Sequence, residues 1–409
     1  MTHSVWAWYG EAAKTAVGFF WKSGWAFVLG YTISAMIQSF VPKARLTQYM
    51  GRPDAQSVGL STIFGAASSS CSFAALAAAR SLVAKGAHFV SAVAFMFAST
   101  NLVIELGILI LIFLGPQYLA AEIVGGLVLI AISSLLIRWT YPTDWIDAAR
   151  EKVEREAPEM EADFDWTDRI RSRMGWHMVG TSFVEEWKMV WEEILIGFTV
   201  AGFVAVLVPQ SFWEALFLTN FQGQLPAWVI ALENAVVAPF VAAATFIGSM
   251  GNIPLATVLA SNGVLFAGIM GFIYSDLMVP PLVAANAEYY GWRVALYIAG
   301  IMFVSIVATA LLLDGAFALA GWTPQGAREI ASLTQFRIDY TFWMNVVSVG
   351  VVGGQMYLRR QHRRMHEEGG GHDHDHGAEG TSPKRMVVYA FVAVLVVGLV
   401  AFAVTGGPA

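Results

Sequence analysis

The chain has 409 residues, of which 57% are hydrophobic and only 13% are charged, and its formal net charge is -6. Soluble domains carry about a quarter charged residues, so this composition, with a mean hydropathy of +0.59, is typical of a membrane protein with many spans. The acidic balance argues against nucleic-acid binding, which needs a basic face, and the single cysteine excludes an internal disulfide.

Eight apolar runs are long enough to cross the hydrocarbon core of a membrane, which takes about 20 helical residues. They lie at 17–41, 87–113, 118–138, 189–209, 264–283, 292–313, 340–358 and 386–405. Two more apolar stretches, 57–84 and 226–263, are interrupted by Gly, Ser, Asn and Pro. Unwound backbone at membrane depth is tolerated only inside protein or beside a cavity, so we interpret both as re-entrant helical hairpins. The sequence therefore predicts an all-α polytopic membrane protein.

The basic residues predict the orientation of these spans. No Lys or Arg occurs between Lys85 and Arg138 or between Lys188 and Arg293. Because Lys and Arg are enriched in cytoplasmic loops, the basic clusters are all accommodated with the N-terminus outside, eight crossings and one hairpin entering from each side. Ten full crossings would instead place the cluster RRQHRR, 359–364, outside. We expect a multi-pass protein of the inner (plasma) membrane with its His-rich loop in the cytoplasm.

Two pairs of segments suggest an internal repeat. AFMFASTNLV (94–103) resembles MGFIYSDLMV (270–279), and SCSFAAL (70–76) resembles SMGNIPL (249–255). Inverted-topology repeats with broken helices at matched positions are typical of transporters, whose substrate site lies between the repeats. Chance similarity among apolar helices is the alternative.

The predicted segments follow one another in a simple order. They are a first membrane repeat at 1–138 with its hairpin at 57–84, a charged cytoplasmic connector at 139–188, a second membrane repeat at 189–313 with its hairpin at 226–263, an outer loop and span at 314–358, a cytoplasmic His-rich loop at 359–385, and a last span at 386–409. The connector is amphipathic and is expected to carry a surface helix and to join the two halves; the favoured interpretation is a solvated linker without a further role.

The first candidate site is a run of small polar residues inside the first hairpin. It comprises Ser68, Ser69, Ser70, Cys71 and Ser72. The hydroxyls can donate and accept hydrogen bonds, and a thiolate suits soft metals or metalloids. The alternative is that these small residues only allow close helix packing.

Polar and acidic residues inside the apolar runs give the other candidates. Asn101 and Glu105 lie four residues apart, so a helix places them on one face, and Thr100 precedes them. Asp276, with Ser275, holds the corresponding place in the second half, where Pro280 and Pro281 must bend or break the helix. Intramembrane acids mark ion or substrate pathways by default, although a carboxyl bonded to neighbouring backbone is the alternative. Met250 and Asn252 belong to the break in the second hairpin, whose backbone could face a substrate.

A His-rich stretch, HDHDH, lies between the last two spans. His372, His374 and His376 alternate with carboxylates and could bind a divalent metal loosely, but a solvated linker without a role is the alternative. The spacing is not that of a structural zinc site.

At ASSSCSF and FMFASTN the chain resembles the predicted permeases whose characterised members include trivalent organoarsenical efflux permeases. Those proteins have about eight spans in two similar halves, and the resemblance covers roughly 20–315. Ser70, Cys71 and Ser72 match the family's first motif, while Ser69 stands where that motif has its first cysteine. The resemblance implies a membrane permease.

The leading hypothesis is a secondary permease that moves a small molecule or ion, with a metal or metalloid species among the candidates. The alternative is a non-transporting membrane sensor or scaffold that binds metal through the His-rich loop. We find no phosphate-binding glycine loop, nucleophile elbow or HExxH, so an ATPase is not expected. An intramembrane enzyme is the third hypothesis, but it would need a base near Cys71 and the sequence positions no intramembrane His to serve; no enzyme is therefore expected and no cofactor is implied. Partners are expected to be the lipid bilayer and the transported substrate, and a homo-oligomer stays open.

Overall fold

The computed structural model describes residues 5–40, 50–68, 71–155, 166–324, 328–368 and 383–406, and the regular structure of these residues is helical. The first nine helices are α1 (Val5–Phe40), α2 (Ala55–Ser68), α3 (Ser72–Ala84), α4 (Phe89–Asn101), α5 (Ile104–Phe113), α6 (Pro116–Thr140), α7 (Thr143–Arg155), α8 (Trp166–Arg171) and α9 (Arg173–Leu207). They are followed by α10 (Gln210–Leu216), α11 (Ala227–Thr245), α12 (Ser249–Ser261), α13 (Phe266–Ile273), α14 (Pro280–Tyr290), α15 (Trp292–Leu319), α16 (Ile330–Leu333), α17 (Tyr340–Glu368) and α18 (Pro383–Thr405).

The described helices confirm an all-helical chain with several membrane spans. Five are long and apolar enough to cross a membrane, namely α6, α9, α11, α15 and the Met386–Thr405 part of α18, and a sixth results if α4 and α5, bent by 41°, count as one span. Helices α1 and α17 contain polar and small residues that lower their mean hydropathy, so neither is among the five. The count of eight stays a prediction. The two re-entrant hairpins also stay predictions. Helix α11, which lies in the second of them, has 19 residues and is long enough to cross a membrane by itself.

The helices form two compact units. The first contains α1, α8, α9 and α16 to α18. Within it, α1 packs along α9 and α18, and α9 also packs along α17. The helices approach closely where a Cβ added to Gly202 would lie 2.5 Å from the backbone of Ala16. A buried polar contact joins α1 to α9, since Ser34 Oγ donates to Glu186 Oε1 at 2.7 Å and Gln38 also bonds that oxygen.

The second unit contains α2 to α7 and α10 to α15, and two series of helices within it pack in the same way. In the first series α2 and α3 each pack on α4, and α4 and α5 each pack on α6; in the second, α11 and α12 each pack on α13, and α13 and α14 each pack on α15. The series also cross, because α5 contacts α12 and α3 contacts α14. The division into 1–138 and 189–313 membrane repeats is not tested by this packing and stays a prediction.

Glycines in the left-handed region stand at matching places in the two series. Gly86 (φ +91°) links α3 to α4 and Gly263 (φ +85°) links α12 to α13. Gly115 (φ +108°) and Gly291 (φ +85°) directly precede α6 and α15. A residue with a Cβ rarely adopts this conformation, so each turn depends on its glycine.

Two segments extend beyond the predicted boundaries. The connector contains α7 and α8, but α9 already begins at Arg173, well before the predicted span at 189. The predicted loop at 359–385 begins as helix, because α17 continues to Glu368 through RRQHRR, where arginine and glutamine favour helix. His372, His374 and His376 lie outside the described residues.

Candidate functional site

Two serines that begin helices meet inside the second unit. Ser72 is the first residue of α3 and Ser249 is the first residue of α12, and both helices have 13 residues. The residues before them, Cys71 and Gly248, have extended backbone, so the chain turns sharply where it enters each helix. The two hydroxyl oxygens lie 3.1 Å apart, and both serines are buried.

A carboxylate completes this polar cluster. Asp276 is fully buried in a 3-10 turn, Asp276–Met278, between α13 and α14. The turn interrupts the helix because Pro280, the first residue of α14, cannot donate the backbone hydrogen bond that a continuous helix would need. The hydroxyl of Ser249 donates to Asp276 Oδ2 at 2.7 Å, and that of Ser72 donates to the same oxygen at 3.0 Å.

Polar groups in the neighbouring turns have unused hydrogen-bonding capacity. Among the described residues, Asp276 Oδ1, both amide atoms of Asn252 and Asn101 Oδ1 are buried without a protein hydrogen-bond partner. Asn252 is completely buried and lies one turn after Ser249 along α12. Buried polar groups are normally hydrogen-bonded, so this part of the unit has free donors and acceptors for a bound species.

The other predicted residues that the structure describes lie around the helix breaks. Ser68 ends α2 and its hydroxyl donates to Gly65 O at 3.0 Å, while Cys71 is half-buried at the start of α3. Met250 follows Ser249 in α12 and is half-buried. Ser69 and Ser70 lie outside the described residues.

The predicted residues at the other breaks are engaged locally or buried. The Ser275 hydroxyl donates to the carbonyl of Gly271, and that of Thr100 donates to carbonyls one turn earlier in α4. Asn101 donates to Phe97 O at 3.0 Å, and Glu105 is buried in the first turn of α5. Their predicted contact with a substrate stays a prediction.

Sequence reasoning missed Ser249, although it lies in the stretch that supplied Met250 and Asn252. The similarity of SCSFAAL to SMGNIPL pairs Ser249 with Ser70, whereas the structure begins the matching helices at Ser72 and Ser249. The correct register is displaced by two residues. The equal lengths of the apolar segments between these serines and the turn glycines, Gly86 and Gly263, could have revealed it.

A second missed residue is Glu122, which is 1% exposed in α6. The argument that selected Asp276 as an acid within an apolar run applies equally to Glu122. It lines a cavity of about 390 Å³ beside the break between α4 and α5, together with Asn101 and apolar side chains of α5 and α6.

Tyr274 lies next to both acids. Its hydroxyl donates to Ala121 O at 2.9 Å, and its ring reaches α6 at Gly125, where an added Cβ would lie 2.2 Å from the hydroxyl oxygen. The tyrosine therefore connects the turn that holds Asp276 to the helix that carries Glu122.

Within the described residues, no group of three or more His, Cys, Asp and Glu side chains is arranged to hold a metal ion.

Broken helices whose ends meet at buried polar side chains, in a chain with several helices long and apolar enough to cross a membrane, are typical of multi-pass membrane transporters. The family described as predicted permease, ArsP_1, matches residues 9–315, and the chain belongs to this family. It is 36% identical over 330 residues, 78% of this chain and 80% of the relative, to the protein named "Putative permease Rv2963" from Mycobacterium tuberculosis (strain ATCC 25618 / H37Rv). No solved structure matches the chain.

Proposed function

We propose that this protein is a secondary permease that moves a small metal or metalloid species by alternating access between two inverted repeats. The cargo would bind at the cluster of Ser72, Ser249 and Asp276. The observation that carries the proposal is the meeting of two serines, each at the start of a 13-residue helix, with one buried carboxylate. Membership of the predicted permease family supports transport as the activity.

Two similarly packed series of helices within the second unit, α2 to α6 and α11 to α15, support an inverted repeat at this level. The two series of helices make corresponding contacts, and the cluster forms where their broken helices meet. In transporters built from inverted repeats, discontinuous helices place their ends at a substrate site near the membrane midplane. The N-termini of α3 and α12 carry partial positive charge, which stabilises the Asp276 carboxylate until cargo arrives.

The chemistry of the cluster supports the class of cargo. Two hydroxyls and a carboxylate supply oxygen donors, and Cys71, the residue before Ser72, supplies the one thiol of the chain. Soft thiolate ligands suit soft metals and trivalent metalloids. The resemblance to organoarsenical efflux permeases favours the same class, with export as the direction.

The proposed orientation has the N-terminus outside and the segment 359–385 in the cytoplasm of a cell whose inner (plasma) membrane holds the protein. Its support is the absence of Lys and Arg between Lys85 and Arg138 and between Lys188 and Arg293.

The test is uptake by the full-length protein in proteoliposomes, across a panel of divalent metals, trivalent arsenicals and small anions. Wild type should transport at least one metal or metalloid, and Asp276→Asn should abolish that transport. Glu214→Gln is the matched control, because Glu214 is an acid on the short surface helix α10 that bonds Gln210. Wild-type transport that is unchanged in Asp276→Asn would refute the site, and transport of none of these compounds would refute the cargo class.

A further inference from the structure

Glu122 is a buried acid for which the serine–aspartate cluster has no use. It lies in the second turn of the 25-residue helix α6 and is 1% exposed. Neither of its carboxyl oxygens has a hydrogen-bond partner among the described residues. Acids inside membrane spans are rare and mark proton or ion pathways.

The burial of Glu122 determines whether its carboxyl group is charged or neutral. An ionised carboxylate removed from water without a partner is far more costly than the neutral acid. The ion pairs formed by the described residues do not involve Glu122. The species that suits Glu122 is therefore a proton.

A second carboxyl group, that of Asp276, makes the protonation of Glu122 depend on what is bound at the serine–aspartate cluster. Asp276 lies two residues after Tyr274, whose hydroxyl oxygen is 2.9 Å from Ala121 O and 3.5 Å from Glu122 O, so the segment that holds Asp276 packs against α6 at Glu122. The two acids have different surroundings, because Asp276 accepts two serine hydroxyl hydrogen bonds and Glu122 accepts none. Asp276 is thus the member that can carry the charge, and Glu122 is the member that is stable when neutral.

The remaining titratable groups around α6 do not change this assignment. The helix packs on α4, α5, α13 and α15; α4 and α13 contain no titratable side chain. The titratable residues that lie on the other packed elements, on α6 itself or directly after α13 are Glu105, Tyr118, Arg138, Tyr274, Asp276, Arg293, Tyr297 and Asp314. Of these, Tyr274 and Asp276 belong to the segment that packs against α6 at Glu122. Arg138 is 16 residues further along α6, about 24 Å away at the rise of a helix.

We propose that Glu122 is the proton-binding residue of the permease and forms with Asp276 a buried carboxyl pair that holds one proton in the arrangement described. This inference rests on the proposed transport function and deepens it by naming the coupling ion. Cationic cargo at Asp276 removes the electrostatic penalty on a second carboxylate. The O–H bond of Glu122 then breaks, its electron pair stays on the carboxylate oxygen, and a water molecule that reaches the carboxyl group during the transport cycle takes the proton as hydronium.

Infrared spectroscopy of the full-length protein in lipid tests the proton site without any transported compound. The C=O stretch of a protonated buried carboxyl group is followed while the pH is raised. We expect wild type to show this band, Glu122→Gln to lose it, and Asp276→Asn to move the pH range over which it disappears. Glu214→Gln should leave it unchanged. A band that persists in full in Glu122→Gln overturns the proposal.

Carbodiimide labelling of the wild type keeps the test decisive if Glu122→Gln fails to fold. Dicyclohexylcarbodiimide reacts with protonated carboxyl groups in apolar surroundings, and mass spectrometry locates the product. Labelling at Glu122 that falls as the pH rises supports the proposal, and unlabelled Glu122 at every pH contradicts it. A proton site present in a protein that transports nothing would refute the transport function alone, whereas transport without this proton site would refute the inference alone.

Discussion

Ser72 and Ser249 lie 177 residues apart in the chain, yet their hydroxyl oxygens are 3.1 Å from each other and both bond the same oxygen of Asp276. The three oxygen atoms make three short contacts, but the two serines supply only two hydroxyl hydrogens. While Asp276 is ionised, one of these contacts therefore has no hydrogen between its oxygen atoms. The cluster can therefore gain a proton or a cation without moving its oxygen atoms. This property, together with its place at two helix breaks, is the physical basis for the proposed cargo site.

The two serines should contribute equally. Ser72→Ala or Ser249→Ala removes one hydrogen bond to a charged group, which is worth about 1.5–3 kcal/mol, so each should lower transport efficiency roughly tenfold to hundredfold. Initial uptake rates over a range of cargo concentrations measure the effect. Thr at either position keeps the hydroxyl and should retain most of the activity.

Ser261→Ala is the matched control for the serine variants. Ser261 ends α12 and its hydroxyl donates to Val258 O at 2.8 Å, so it makes only a local bond. The equivalence would be wrong if one serine variant were inactive and the other behaved like wild type.

Cys71 should determine transport of soft cargo. The Cys71→Ser variant replaces a thiol by a hydroxyl, a poor ligand for trivalent arsenic, and should lower arsenical uptake at least about tenfold, equivalent to about 1.4 kcal/mol. Uptake of methylarsenite by proteoliposomes is the measurement, with Cys71→Ala as the companion variant. If both variants transport the arsenical as wild type does, the sulfur is not a ligand and the cargo is not a thiol-seeking species.

The contact between Tyr274 and Gly125 should be sensitive to a single added methyl group. A Cβ at Gly125 would lie 2.2 Å from the Tyr274 hydroxyl oxygen and 2.4 Å from Leu313 Cδ1. Gly125→Ala should therefore lower the free energy of unfolding by about 1–3 kcal/mol, the usual cost of overpacking. Thermal unfolding in detergent measures it.

Gly300→Ala is the control for that variant, because Gly300 lies in α15 with nothing within 4 Å of an added Cβ. This change should be neutral or should stabilise the protein by up to about 1 kcal/mol, since alanine favours helix. Equal losses of stability in the two variants would show that Tyr274 does not pack closely on α6.

The helical character and several spans followed from the sequence because apolar runs of span length leave a chain little alternative to helix in a membrane. The breaks at Cys71, Asn101 and Asp276 were also visible, since polar residues and prolines interrupt apolar runs there. The partnership of Ser72, Ser249 and Asp276 was not. It depends on the packing of three separate helix ends, which no local pattern encodes.

Glu122 was overlooked for a different reason. Glu105 was selected as a candidate because it lies four residues after Asn101. Glu122 lies in an apolar run that is otherwise typical of an uninterrupted membrane span. Its burial, and the lack of a hydrogen-bond partner for either carboxyl oxygen among the described residues, distinguish it. The count of eight spans requires α1, α17 and the α13–α14 pair to cross the membrane as well. Their length and composition alone do not establish this.

The most direct test of alternating access uses Cys71, the single cysteine of the chain, which precedes Ser72 at the proposed cargo site. Its labelling by a membrane-impermeant maleimide can be timed in right-side-out and inside-out vesicles, with and without transported cargo. The account predicts that Cys71 reacts from both sides and that cargo slows labelling from at least one of them. Labelling from one side only, at a rate that no transported compound changes, would contradict it.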